Sequence, residues 1–360
     1  MPIKYKWLSE RLRDLITQNM KKGVDKLPAE QELCRRYKVS RQTVRQSLSI
    51  LEKEGLIEKR RGSGTYITGR SSNAQKNVIG ILISDDSEYI YPRLLNDINT
   101  ALTKNGFFQE TFVTGNRTST EREILTALLP LSPRGLIVEG CKSALPNPNL
   151  DLYHALLKKG CHIVFLHNYY PALKGCPYIK DANISGSMML VNYLVSQGHT
   201  QIGGIFKADD MQGIERFQGF MEAMRDARLT VPDERISWFH SDDFNKLQQH
   251  EDTSFLKKIV QESLNSCTAV VCYNDMIAYF LMKELKLSGY RLPDEMSIVT
   301  FDHTYLSNSN HLALTTLGHT PHEMGTRAVQ MLIDSLKGFT VMPTELPWKL
   351  IPKESTLEKR

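Results

Sequence analysis

The sequence predicts an α/β protein: an N-terminal winged helix-turn-helix followed by two Rossmann-like subdomains. Three observations predict this. Residues 30–67 read as helix, turn, helix and hairpin; from residue 78 to about 335 apolar strand-like runs alternate with amphipathic helices; and the basic charge is confined to the first fifth of the chain.

The head is built from its first helix. Over 4–20, Tyr5, Leu8, Leu12, Leu15 and Ile16 fall on one stripe at helical spacing. Glu30–Tyr37 reads as a second helix, Val39-Ser40 as a tight turn, and 41–54 as a third helix. In that third helix Val44, Leu48 and Leu51 recur at i, i+4 and i+7, so they share a face with Leu33 and Tyr37 to pack against; Arg41, Gln42, Arg45 and Ser49 occupy the other face. Ser40 is suited to cap the helix start. Gly55 stands where a left-handed residue would end it before the hairpin over 56–67.

Residues 69–77 (GRSSNAQKN) lack apolar periodicity and are rich in small polar side chains, so they read as a flexible linker. The expected domains are therefore a DNA-binding head over 1–68, the linker over 69–77 and a body over 78–360. In the body, strand-like runs occur at Val78–Ile83, Gly135–Val138, His162–Leu166, 202–206, Ala269–Cys272 and Ser297–Phe301. Strand alternating with helix implies parallel sheets covered on both faces. Gly106, Gly160, Gly198 and Gly289 mark helix ends. A body of this length exceeds one doubly wound sheet, so two subdomains with a cleft between them are expected, with ligands at the carboxyl ends of the strands.

Charge separates the two parts. Residues 1–70 carry 17 Lys and Arg against 8 Asp and Glu, an excess of nine positive charges, and the rest of the chain holds 28 against 32. A basic head suggests a polyanion partner, because neutralising phosphates supplies most non-specific nucleic-acid affinity. A membrane partner fits poorly: no run of about 18 apolar residues occurs, and the first residues (MPIKYKWLSERLRDL) are amphipathic and charged, unlike a signal peptide. A cytoplasmic location is the expectation. The cysteines at 34, 141, 161, 176, 267 and 272 form no C-x-x-C pair and no Cys/His metal spacing, and are read as reduced thiols. Cys267 and Cys272, five apart on one expected strand, would point to opposite faces, which argues against a disulfide between them.

The third helix has the chemistry of a groove reader. Arginine can contact guanine O6 and N7 together, and Arg41 and Arg45 at i and i+4 can reach two neighbouring positions, or one base and one phosphate. The hydroxyls of Ser40 and Thr43 at the helix start suit phosphate binding, and Lys4 can anchor a further phosphate from the first helix. The bland alternative is a set of ordinary exposed arginines on an amphipathic helix.

Residues 1–68 resemble the winged-helix domains of GntR-family transcription regulators through Leu27-Pro28-Ala29-Glu30, Ser40-Arg41-Gln42-Thr43-Val44-Arg45, Gly55-Leu56-Ile57 and Arg61-Gly62-Ser63-Gly64-Thr65-Tyr66. That resemblance places Arg61, Ser63 and Gly64 at a wing tip able to enter the minor groove. Residues 78–355 resemble the effector domain of LacI/GalR-type regulators, which share the type I periplasmic-binding-protein fold. The matching pieces are Gly198-His199, Arg216 with Gly219-Phe220, Asn274-Asp275-Met276-Ile277-Ala278, Leu292-Pro293-Asp294-Glu295, and Ser297-Ile298-Val299 with Asp302. The hybrid is similar to the arabinose-responsive repressors of the AraR type, most specifically in Val138-Glu139, Lys142-Ser143-Ala144-Leu145, Gly204-Ile205-Phe206-Lys207-Ala208-Asp209-Asp210 and Gln212-Gly213. It departs from the pattern at His303, where a second acidic residue is frequent, and at Gly318-His319, a stretch that often carries a basic residue.

A sugar effector needs planar polar side chains that hydrogen-bond vicinal hydroxyls, with an aromatic face against the ring. Arg216, Asn274, Asp275 and Asp302 supply planar groups; Lys207, Asp209 and Asp210 follow one expected strand, Glu139 and Lys142 another, and Asp85, Tyr89 and Tyr91 the first. The alternative for Asp181, Asp210, Asp275 and Arg216 is a role at the start of the next helix as caps, and for Tyr91 plain packing. His167, His199 and His319 read as satisfied polar residues, since no second metal ligand has a productive spacing.

The resulting expectation is a repressor of sugar-utilisation genes, dimeric through its body, bound to a palindromic double-stranded operator and released when a sugar, by resemblance L-arabinose, fills the cleft. No cofactor or metal is expected. Alternatives are the same architecture serving another pentose, an oligosaccharide or a sugar phosphate, and a sugar-modifying enzyme. The enzyme reading ranks last: the chain has no G-x-S-x-G, no H-E-x-x-H, no Walker-type loop and no G-x-G-x-x-G after the first body strand.

Overall fold

The structure, a computed structural model, describes residues 4–21, 24–53, 55–60, 63–67, 77–86, 89–308 and 312–359. They form two compact units, one within 1–78 and one within 79–360. The expected linker, apart from residue 77, lies outside the described residues, as does Glu54.

In the first unit α1 (Lys4–Lys21), α2 (Glu30–Tyr37) and α3 (Arg41–Lys53) enclose Leu8, Leu12, Leu33, Val44, Leu48 and Leu51, all fully buried. Strands β1 (Ile57–Arg60) and β2 (Gly64–Ile67) pair antiparallel, with Ile57 opposite Ile67 on the core side. The buried Ser47 hydroxyl donates to the Tyr5 carbonyl at 2.8 Å and so fixes α3 on α1. Thr43 N donates to Ser40 Oγ at 3.2 Å, the N-cap expected from the sequence. At the other end Gly55 has φ +71, and Leu56 N returns to the Leu51 carbonyl at 2.9 Å, closing the helix before β1.

The second unit contains two six-stranded sheets. The N-terminal subdomain orders β13-β7-β6-β5-β3-β4, from β3 (Val78–Ile83), β4 (Phe108–Val113), β5 (Gly135–Val138), β6 (His162–Leu166), β7 (Tyr178–Asp181) and β13 (Thr344–Leu346). The C-terminal subdomain orders β14-β12-β11-β10-β8-β9, from β8 (Ile202–Lys207), β9 (Ile236–Phe239), β10 (Ala269–Cys272), β11 (Ser297–Phe301), β12 (Thr315–Gly318) and β14 (Lys349–Ile351). The registered pairs are parallel except β12 with β14.

The central strands of each sheet bury both faces, so their apolar residues alternate between two cores. Ile81, Ile83 and Ile137 pack under α4 (Tyr91–Lys104) and α12 (Glu323–Leu336), while Leu82, Leu136 and Val138 pack under α5 (Thr118–Leu131) and α6 (Leu150–Lys158). In the other sheet Ala269 and Val271 face α7 (Asn183–Ser196) and α8 (Met211–Asp226). Val270 and Cys272 face α9 (Ser241–His250), α10 (Ser254–Glu262) and α11 (Asp275–Leu287). Gly106, Gly160, Gly198 and Gly289 all take the left-handed conformation after helices.

The chain crosses between subdomains three times: after β7 into α7, after β12 into α12, and between β13 and β14. These crossovers form the hinge of the cleft. All six cysteines are free thiols; β10 begins at Ala269, so Cys267 precedes the strand the sequence had assigned it.

Candidate functional site

On the head, α3 turns Arg41, Gln42, Arg45 and Ser49 to the surface, opposite the face that fills the core. Ser40 Oγ and Thr43 Oγ1 lie 2.9 Å apart at the helix start, where unpaired backbone N–H groups favour an anion. Arg45 Nε is 3.0 Å from Glu30 Oε2, so this guanidinium is already engaged with α2, although mostly exposed. In the wing, Tyr66 stands between Arg60, 4.7 Å from its ring centre, and Lys26 at 5.2 Å; its hydroxyl is 2.7 Å from Ser63 Oγ. Gly64 has φ +122, a backbone conformation that L side chains rarely adopt, so the tight wing favours glycine there. Arg61 and the Lys4 side chain lie outside the described residues.

Within the second unit a cleft of about 830 Å³ opens at the carboxyl ends of both sheets. Asp85, Tyr89, Tyr91, Glu139, Lys207, Asp210, Asn274 and Asp302 line it together with Arg216 of α8, bringing together eight residues from the ends of five different strands and one from a helix. Three others turn elsewhere. Asp209 accepts from Ser241 N at 3.1 Å, Lys142 Nζ lies 4.0 Å from Asp209, and Asp275 accepts from Thr304 N at 2.6 Å and Thr316 Oγ1 at 3.0 Å. They brace loops behind the cleft and do not line it. A position directly after a strand does not fix which way a side chain points, which is why adjacent Asp209 and Asp210 diverge.

Arg216 organises the cleft floor. It is 2% exposed, its Nε donates to Asn183 Oδ1 at 3.0 Å, and its Nη1 donates to the Tyr273 carbonyl. Its Nη2 lies 3.5 Å from Asp302 and 3.9 Å from Asp181, with the guanidinium 4.1 Å above the Phe301 ring. Asp302 has φ +93 and Tyr89 φ +64; strained backbone of this kind is held only where packing over-determines it. Burial raises the Asp302 pKa, and Arg216 opposes that rise.

In the opposite wall Glu139 accepts from Ser84 N at 2.8 Å, Ser84 Oγ at 2.7 Å and His167 Nδ1 at 3.0 Å. Burial works to raise its pKa, but the His167 and Ser84 hydrogen bonds outweigh burial and hold the carboxyl below its ordinary range. Tyr91 both packs on the N-terminal core and places its hydroxyl 2.5 Å from Ser84 Oγ. Of the residues weighed as helix caps, Asp210 pairs with Lys207 at 2.6 Å, Asp181 with His319 at 2.8 Å, Asp275 accepts from Thr304 and Thr316, and Arg216 donates to Asn183; the cap on α11 is instead Asn274, which accepts from Ile277 N at 3.0 Å.

Sequence reading missed His167 and Asp181 as cleft residues. His167 sits in the left-handed region at φ +64 just after β6, and Asp181 ends β7; the strand-end position was the available signal for both. Phe244, Gln248 and Tyr273 also line the cleft. Gln248 Nε2 donates to Asp85 Oδ2 at 2.5 Å across it.

A winged helix-turn-helix head and a body with a polar, hinged cleft together define a DNA-binding transcription regulator governed by a small ligand. Comparison with known proteins is specific. Residues 4–67 match the model of bacterial regulatory proteins of the gntR family, and 191–356 match the periplasmic binding protein-like domain. The arabinose metabolism transcriptional repressor of Halalkalibacterium halodurans is 31% identical over 344 residues, 94% of this chain and 90% of the relative. That of Geobacillus stearothermophilus is 32% identical over 336 residues, covering 93% and 91%. The CelR transcriptional regulator in complex with cellobiose shares the fold at TM-score 0.67 and 19% identity, covering 88% of this chain and 91% of that one. A periplasmic binding protein/LacI regulator of Alkaliphilus metalliredigens, complexed with D-xylulofuranose, does so at TM-score 0.65 and 21% identity, covering 78% and 99%. The chain belongs to the family of arabinose metabolism transcriptional repressors. It is a DNA-binding transcriptional repressor and not an enzyme. No helix among the described residues is long and apolar enough to cross a membrane.

Proposed function

We propose that the effector is L-arabinose, that it binds in the cleft between the two subdomains, and that its binding weakens the hold of a homodimer on a palindromic operator. The observation that carries the ligand class is the cleft's charge. Asp85, Asp86, Glu139, Asp181, Asp210 and Asp302 line it against Arg117, Lys207 and Arg216, and Lys207 is already neutralised by Asp210. An anion such as a sugar phosphate meets an excess of carboxylates there, whereas a neutral polyol finds many acceptors and a few fixed donors. Both close relatives named above are repressors of arabinose metabolism, which supports arabinose among neutral sugars.

Arg216, Asp302, Asn274 and His167 are the groups proposed to hydrogen-bond sugar hydroxyls, with Tyr89, Phe244 or Tyr273 against the ring face. Arg41, Gln42 and Arg45 are proposed to read the major groove, with Ser40 and Thr43 on phosphate and Lys4, Arg61, Ser63 and Gly64 supporting from the first helix and the wing. A coupling of about 1–3 kcal/mol between sugar and operator would change operator affinity from several-fold to about a hundredfold.

A second reading rests on the cleft volume of about 830 Å³, which exceeds what a single pentose fills: an arabinose-containing oligosaccharide. Titration calorimetry with L-arabinose, D-xylose, D-galactose and arabino-oligosaccharides decides between them. One-site binding of L-arabinose alone supports the first reading; binding only of the oligosaccharide replaces it with the second.

A further inference from the structure

The hinge contains a side chain that the effector site does not account for. His319 begins the second crossover, immediately after β12. Its Nε2 lies 2.8 Å from Asp181 Oδ1, at the start of the first crossover, and its Nδ1 lies 3.0 Å from the Pro347 carbonyl, in the third. Its ring stacks on Trp348 at 3.6 Å between centres and an interplanar angle of 26°. Trp348 in turn packs so closely on Gly186 of α7 that any side chain there would run into it. One imidazole therefore touches all three crossovers.

The hydrogen-bond chemistry of this ring is restrictive. A neutral imidazole carries one donor and one acceptor nitrogen. Here both nitrogens face oxygens that only accept: an ionised carboxylate and a peptide carbonyl. Both contacts are hydrogen bonds only if both nitrogens carry protons. Asp181 is also a cleft residue, 3.9 Å from Arg216, so the group that His319 holds faces the ligand space.

We propose that His319 is the positioning residue of the hinge, an imidazolium whose charge holds Asp181 at the cleft floor and ties the three crossovers in the geometry that accepts the sugar. The proposal rests on the sugar-cleft reading above. The pKa direction agrees: burial lowers the His319 value, but the Asp181 hydrogen bond and charge outweigh it and raise the net value above that of free histidine. The charged groups facing this pair are Asp302 after β11, Arg216 on α8 and His167 after β6, with His303 against Gly318 and Lys349 beside Trp348. With a raised folded pKa, the clasp is complete below the pKa of free histidine and is lost as pH rises through the folded value. Sugar affinity falls over the same interval.

The test has two arms on the full-length protein. In the first, nitrogen NMR of the histidine rings is recorded from pH 6 to 9 without sugar, with His319→Gln used to assign the signal. Two protonated ring nitrogens at pH 7 are expected, and a neutral His319 at pH 6.5 overturns the proposal whatever the sugar. In the second, L-arabinose affinity is measured for the natural protein, His319→Gln and His319→Lys at pH 6.5 and 8.5. The glutamine variant is expected to bind on the order of tenfold more weakly at pH 6.5 and to lose the His319 part of the pH dependence, while lysine restores affinity with a flat profile. Unchanged affinity in the glutamine variant, or equal loss in both variants, overturns the proposal. Absence of any L-arabinose binding by the natural protein contradicts the effector assignment alone, and the NMR arm still decides the charge of His319.

Discussion

The Tyr89 hydroxyl donates to Asp302 Oδ2 at 2.6 Å, joining a loop of the N-terminal subdomain to a strand end of the C-terminal one. The Tyr89 ring packs against the C-terminal core, so the contact is both a hydrogen bond and an apolar insertion. The other carboxylate oxygen of Asp302 faces Arg216 at 3.5 Å. Each Oδ retains a lone pair for a ligand hydroxyl. A sugar can therefore add to the Tyr89–Asp302–Arg216 chain without breaking it.

If that chain latches the closed cleft, Tyr89→Phe removes the donor while keeping the ring. A hydrogen bond to a charged group contributes about 1.5–3 kcal/mol. L-Arabinose affinity is expected to fall by about tenfold or more by calorimetry, with the far-ultraviolet spectrum unchanged. An affinity equal to that of the natural protein removes Tyr89 from the site.

Arg216 is buried among Asn183, Asp181, Asp302 and the Tyr273 carbonyl, so its removal takes the neighbouring cation from Asp302 and leaves Asp181 with His319 alone. Arg216→Met is expected to cost about 3–5 kcal/mol of body stability and to abolish the sugar response, while the head, a separate unit, keeps its operator contacts. The result is a repressor that arabinose does not release. Retained sugar release in that variant would contradict the placement of Arg216 at the cleft floor.

Asp275 provides a pH test away from ligand contact. Burial, reinforced by Asp302, pushes its pKa up to about 7. The unfolded chain loses this proton near pH 4, so stability falls as pH rises from about 4 to 7, by about 3 kcal/mol if Asp275 acted alone. Asp275→Asn removes the ionisation and can keep the Thr304 and Thr316 hydrogen bonds. Its melting temperature relative to the natural protein is expected to improve between pH 5 and pH 8. A difference that does not change with pH contradicts the assignment.

On the head, Arg41→Ala and Arg45→Ala are each expected to weaken operator binding by about 1–3 kcal/mol, as for loss of a bidentate base contact. Glu30→Gln is expected to do the opposite by a few-fold, because it frees Arg45 from its 3.0 Å partner. Ser40→Ala removes the cap on Thr43 N and should cost the head about 1 kcal/mol. Fluorescence anisotropy at one fixed salt concentration reads the Arg41, Arg45 and Glu30 variants, since phosphate contacts make affinity strongly salt-dependent, and denaturant unfolding of the head reads Ser40→Ala.

Much of the architecture was legible because it is periodic. The buried strands Val78–Ile83, Gly135–Val138, His162–Leu166, Ala269–Cys272 and Ser297–Phe301 are near-continuous apolar runs and fall at the expected residues. The strand Phe108–Val113 was not expected; it is a sheet edge with half-exposed polar positions and no distinctive run. Strands such as Lys349–Ile351, three residues long, are set by tertiary pairing rather than pattern. In the cleft, strand-end reasoning gathered eight of the nine lining residues, all but Arg216, and could not tell Asp210, which faces the cleft, from Asp209, which caps Ser241 N. His319 was read as a satisfied polar residue, and it is one; its hinge role depends on Asp181 and Pro347, distant in sequence and adjacent only in the fold.

The most direct measurement of the central claim is operator affinity of the full-length protein with and without saturating L-arabinose, by fluorescence anisotropy at fixed ionic strength. The account predicts a loss of operator affinity between about tenfold and a hundredfold with L-arabinose and no change with D-xylose. Calorimetric binding of L-arabinose with operator affinity unchanged would contradict it.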